Sequence, residues 1–272
     1  MKDARLRVRS LVTALALLLI TSFTVRAQEG DGFLSDLHNF RVNNYMALDA
    51  YYRFSASGDT ETLNEIVASI NAANESMNSV ADSTAGVLSG EQVESLNVEF
   101  DKFKDLMRSN INDVRNTGYP DLRLVSDMAN QALSMNQVAS EMYAVARESA
   151  EVATAQRVEA ARSAAVTMAQ MMAKYSARTH SSVSQTFQGS SNDIPLDEQA
   201  KQFDAFLSQI TKGGAQGPLK AALDDLTSKW EFIRGSYINY NDNNVAFVID
   251  RYSKGILRGL ETTIGLLREN AC

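Results

Sequence analysis

Apolar residues recur every third or fourth position along most of this chain, a spacing that predicts amphipathic helices and no strands. Phe33 to Tyr52 carries Leu34, Leu37, Phe40, Tyr45, Leu48 and Tyr52, and Ser57-Gly58-Asp59 stops that stripe. A second helix is expected from Asp59 or Thr60, with Leu63, Ile66, Val67, Ile70, Ala73, Met77 and Val80 on its dry face. Ser89 with Gln92 three residues on reads as a capping box. Val93, Leu96, Phe100, Phe103, Met107, Ile111 and Val114 follow it in a third helix, which Gly118 ends.

Pro120 suits the first turn of the next helix, because the N–H it lacks would be orphaned there anyway. From Asp121 to Gln188 there is neither glycine nor proline. At the helical rise an unbroken helix of that length reaches on the order of 100 Å. That exceeds one compact bundle, so the span either breaks near Ala150 to Thr154 or forms a rod shared by two bundles. In the second half, helices are expected at roughly 154–188, 196–212, 217–238 and 243–269, separated by Ile194-Pro195, Gly213-Gly214 and Gly217-Pro218.

An internal repeat favours the shared rod. Glu99-Phe100-Asp101-Lys102-Phe103-Lys104 is echoed by Lys229-Trp230-Glu231-Phe232-Ile233-Arg234 at an offset of 130, and Tyr45 to Gly58 matches Tyr175 to Gly189 in position. Four helices per half is the number that closes a core with short connections. The expected fold is therefore all-α, with two tandem four-helix bundles, residues 28–150 and 151–272, sharing a long central helix.

Residues 1–27 are set apart as an export signal. Lys2, Arg5, Arg7 and Arg9 precede the apolar stretch Leu11 to Val25, and Val25-Arg26-Ala27 offers small residues where a signal peptidase reads. Fifteen apolar residues fall short of the roughly 20 that span a bilayer, so cleavage near Ala27 and a periplasmic or secreted protein are expected. Removing this segment takes away five basic residues and one acid, leaving 21 basic, 32 acidic and a net charge of −11. Such a surface repels phosphate backbones, which argues against nucleic acid as a partner. The single cysteine, Cys272, has no internal partner and offers at most a cross-link between two chains in a homodimer.

Catalytic constellations are missing from the sequence. The two histidines, His38 and His180, do not stand at metal-ligand spacing, and no nucleophile elbow, phosphate-binding glycine loop or haem-attachment motif is present. No enzymatic activity, metal or cofactor is expected. Met168, Met171 and Met172 with His180 could be read as a copper site, but methionines at helical spacing are expected to fill the core. Met128, Met135 and Met142, seven residues apart, suit a helix seam in the same way. The run Tyr237 to Asn244 is rich in Asn and Asp, which favour turns, and is expected to be a loop between the last two helices, with binding by Tyr237 or Tyr240 as the alternative role.

At Gln170-Met171-Met172-Ala173-Lys174 the chain resembles the PilJ/NarX-type sensor domain, an extracytoplasmic four-helix unit whose members carry an Arg-Met-Leu-Ser-Gln-Arg-Met-Ala-Lys-like run. This sequence keeps Gln170, Met172, Ala173 and Lys174, and has Val166 and Met171 in place of the arginines. The resemblance covers mainly residues 155–270, and without the arginines it does not imply nitrate binding. It implies a sensory or accessory module that binds a small ligand, a membrane receptor or another envelope protein. Arg162, Gln170, Lys174, Tyr237 and Tyr240 are the candidate ligand-binding residues. The competing expectation is a structural helical protein of the cell envelope with no small-molecule ligand.

Overall fold

The computed structural model describes residues 32–82, 88–149, 154–180, 194–242 and 244–269, and every regular element among them is an α-helix. In chain order these are α1 (32–57), α2 (Thr60–Asp82), α3 (Gly90–Thr117), α4 (Leu122–Ser149), α5 (Gln156–His180), α6 (Leu196–Thr211), α7 (Gly217–Ile238) and α8 (Ala246–Glu269). The export signal at 1–27, the stretch 181–188 and Cys272 lie outside the described residues.

The helix ends follow local chemistry. Gly58 takes a positive φ of 64° and donates its N–H to the Phe54 carbonyl, closing α1 in a conformation that costs glycine little. Asp59 then caps α2, its Oδ1 accepting from the Thr62 N–H at 2.7 Å. Both halves of the expected capping box form at α3: Ser89 accepts from the Gln92 N–H and Gln92 returns the bond to the Ser89 N–H. Pro120 does not enter the first turn of α4. Asp121 caps that helix through bonds to the Arg123 and Leu124 N–H groups, which leaves the proline outside it.

Two apolar cores are present. One is formed by α1 to α4, and Val166, Ala169, Ala173 and Ala177 of α5 complete it. The other is formed by the opposite side of α5 with α6, α7 and α8. The repeat at an offset of 130 persists in the burial pattern. Val93, Leu96, Phe100, Phe103 and Met107 of α3 are all buried, and so are their counterparts Leu223, Leu226, Trp230, Ile233 and Tyr237 of α7. Val67, expected on the dry face of α2, is instead half exposed.

The long shared helix is not formed. Helix α4 ends at Ser149 and α5 begins at Gln156. Tyr143 Oη donates to Glu159 at 2.8 Å, whereas sixteen residues of straight helix would part those positions by about 24 Å. The chain therefore turns back between the two helices. A helix common to both cores does exist, but α5 achieves it by lying between them. Its alanines, small on every side, let neighbours approach closely, and sixteen of its residues are buried. Helix α1 is its companion at the centre, with Val42 and Met46 packed against both cores. The two run parallel, because His38 lies in the field of Arg162 and Asp49 bonds Ser176 further along both helices.

Candidate functional site

Polar and charged side chains collect where α1 and α5 meet the outer helices, in two groups. The first lies between α1, α4 and α5. Arg162, 2 % exposed, donates from Nη1 to Tyr143 Oη at 3.2 Å and to Glu159 at 3.4 Å. Arg41 places its guanidinium 5.9 Å from the centre of the Tyr143 ring, and its buried Nε meets no hydrogen-bond acceptor. His38, one turn before Arg41, is buried with Nδ1 unpartnered. Burial, followed by the fields of Arg162 and Arg41, lowers its pKa to about 3, so the ring is neutral at ordinary pH. Asn44, the next position on the same side of α1, is fully buried with neither amide atom bonded.

The second group joins the two halves of the molecule. Asp49 of α1 is buried, accepting from Ser176 of α5 and pairing with Arg53 at 3.0 Å. Arg53 continues to Glu65 of α2 and, at 3.4 Å, to Asp250 of α8. Lys254 of α8 closes the network with bonds of 2.8 Å to Glu65 and 2.9 Å to Asp250. Burial raises the Asp49 pKa, and the neighbouring Arg53 and the Ser176 hydroxyl pull it back. His180 stands in the field of Asp49, Arg53 and Asp250, with its pKa lowered chiefly by desolvation.

Between these groups a groove of about 940 Å³ opens along α1, α2 and α8. His38, Met46, Glu65, Ser76, Lys254 and Leu257 are among its walls, and Ala165 of α5 reaches it from below. Its size falls within the range of small-molecule sites.

The five residues singled out from the sequence occupy different surroundings. Arg162 belongs to the first polar group. Lys174 is buried and donates to the Ile194 carbonyl at 2.6 Å, and Gln170 is half-buried on the same helix. Tyr237 does not stand in a loop: it ends α7 inside the second core, where its hydroxyl meets Ser253 at 2.9 Å and its ring meets Tyr175 edge-on. Tyr240 does lie beyond the helix, stacked beneath the Arg178 guanidinium at 4.3 Å. Lys174, Tyr237 and Tyr240 thus gather toward the C-terminal half of α5, while Arg162, twelve residues before Lys174, is about 18 Å away along the axis.

Met168, Met171 and Met172 are buried in the second core. His180 faces the charged network instead, so the methionines and the imidazole do not converge. Among the described residues no group of three or more His, Cys, Asp or Glu is placed to hold a metal ion. From the sequence His38 is weighed only as a metal ligand, and Arg41, Asn44 and Asp49 are passed over, yet a signal was available. They share the i, i+3, i+4 spacing of Leu34, Leu37 and Leu48, so the same count that buries those leucines buries them. Among the described residues, no helix is long and apolar enough to cross a membrane. No protein-family model, curated protein or solved structure matches this chain.

Proposed function

We propose that this chain is an exported, non-enzymatic helical module that acts by binding a small ligand, and that it conveys the bound state to a membrane receptor or envelope partner. The observation that carries the reading is the groove along α1, α2 and α8, with the buried and unpartnered His38 on its wall. Apolar cores satisfy or exclude their polar groups, because each one left unbonded costs about 1–3 kcal/mol. Retaining His38 Nδ1 unbonded on the wall of a ligand-sized groove, with Arg41 Nε and both Asn44 amide atoms unbonded on the same helix, is consistent with a site built for an occupant. The groove also lies between elements of both cores, so an occupant touching α2 and α8 would favour one setting of the two halves over another.

Thermal-shift screening of the mature protein against amino acids, organic acids and inorganic anions tests the ligand, and pull-down from membranes tests the partner. A response in either assay supports the reading, and silence in both removes it. A purely structural envelope role is the second reading. It draws on Phe232 and Phe247, 62 % and 75 % exposed on α7 and α8, where aromatic side chains of that size commonly mark a protein contact.

A further inference from the structure

We infer that the polar group between α1, α4 and α5 is an anion site, taking a compact inorganic oxyanion or a small carboxylate against Arg41, His38 and Asn44. The inference rests on the ligand-binding reading above and names the class of ligand.

The argument begins with what is unbonded. His38 is 6 % exposed and Asn44 fully buried, and both hold polar atoms with no partner. Arg41 adds a buried Nε–H without an acceptor, and none of the ion pairs among the described residues includes it. Arg41 as a whole is partly buried, but a buried N–H of a charged group left without an acceptor still carries a desolvation penalty. The carboxylate whose field reaches Arg41 is that of Glu159, which already serves Tyr143 and Arg162 and lies 3.8 Å from Arg147.

Donors outnumber acceptors around this point. The guanidinium of Arg41 and the Asn44 amide N–H groups all present hydrogens, and neutral His38 can present a third through Nδ1, against the single unbonded acceptor Asn44 Oδ1. An anion satisfies such a set, whereas a cation is repelled by Arg41 and Arg162, and an apolar ligand leaves every donor unmet. His38 borders the open groove together with Ala165, which is the side from which a ligand would reach the group.

The test uses the whole mature chain titrated with sodium formate, acetate, phosphate and chloride. At least one of the four is expected to raise the unfolding midpoint saturably. Arg41→Gln is expected to shift the half-saturating concentration at least tenfold, and to raise the midpoint in the absence of anion because a partly buried charge has gone. A midpoint that responds to none of the salts in a saturable way, or a variant that responds as the parent does, overturns the site. Should Arg41→Gln fail to fold, calorimetry of the parent with the same four salts decides. Absence of heat overturns the site, binding heat that weakens in Tyr143→Phe, which removes the hydroxyl bonded to Arg162, supports it, and binding heat unchanged in that variant overturns it. A protein silent to all four anions but stabilised by a neutral or cationic compound loses the anion site and keeps the ligand-binding reading. Silence to every compound removes both.

Discussion

The carboxylate of Asp49 on α1 accepts a 2.6 Å hydrogen bond from the hydroxyl of Ser176 on α5, 127 positions later in the chain. Both groups are buried, and the bond crosses the line where the two apolar cores meet. A charged acceptor inside protein depends on such donors far more than one in water does.

Ser176→Ala is therefore expected to destabilise the protein by about 1–3 kcal/mol at neutral pH, since it strips a donor from a buried carboxylate. The loss has a pH signature. Asp49 has its folded pKa raised by burial, and the Ser176 bond opposes that rise. Removing the bond costs most where Asp49 is charged, above its folded pKa, and the deficit shrinks as acid protonates the carboxyl. Denaturant titrations of parent and variant at neutral and acidic pH measure both effects, and a deficit that does not change with pH contradicts the assignment.

Asp204 offers a second test, with a built-in probe. Its carboxylate accepts from Trp230 Nε1 at 2.8 Å and from Arg234 in a two-pronged pair at 2.9 and 2.7 Å. Burial pushes its pKa up, but the bonds from Arg234 and Trp230 outweigh that and leave it lowered. The stabilisation is accordingly present above the ordinary Asp pKa and lost as pH falls through the lower folded value. The pair is partly exposed, so Asp204→Asn is expected to cost only about 1 kcal/mol. Trp230 is the sole tryptophan, so the altered indole hydrogen bond should appear directly as a shift in fluorescence emission.

Much of the fold is legible in the sequence because helix signals are local. The α3 stripe, its capping box and its counterpart on α7 at an offset of 130 follow from spacing and a few capping residues, and the structure keeps that register through Phe100 and Trp230. The turn between α4 and α5 is not legible in the same way. Residues 121–188 contain neither glycine nor proline, so local propensity offers no break. What opposes a rod is tertiary: the alanines of α5 are buried on all sides only when the helix lies between two cores. The candidate site suffers from the complementary blindness. Hydrophobic periodicity counts Leu34, Leu37 and Leu48 but passes over His38, Arg41 and Asp49 on the same helix, because polar side chains contribute nothing to an apolar stripe.

Two cores on one chain raise the question of whether they unfold together. Val42 and Met46 of α1 and Leu257 of α8 pack against both, and α5 contributes side chains to each. A single cooperative transition is expected. Phe100→Ala, which empties a fully buried position in edge-on contact with Phe40 at 5.1 Å, should cost about 3–5 kcal/mol. Although Phe100 belongs to the first core, the variant should lower the midpoint reported by Trp230 in the second. Helical circular dichroism and Trp230 fluorescence that separate into two transitions would disprove the coupling.

The pH dependence of stability supplies a last test, centred on His38. Its folded pKa is about 3, against 6.5 for an exposed imidazole, because burial and the fields of Arg162 and Arg41 disfavour the charged ring. Between those two values the unfolded chain binds a proton that the folded chain does not, so stability rises with pH across the interval and falls as the solution is acidified. One proton of difference corresponds to roughly 1 kcal/mol per pH unit. Burial sets this slope first, followed by the charges of Arg162 on α5 and Arg41 on α1. Replacing His38 by Gln removes the titration while keeping a polar side chain, so the acid limb of the stability curve should flatten between about pH 6.5 and 3 while the neutral-pH plateau shifts little. An unchanged slope in His38→Gln would place the acid sensitivity elsewhere, and would mean that the imidazole is not held neutral by its two arginine neighbours.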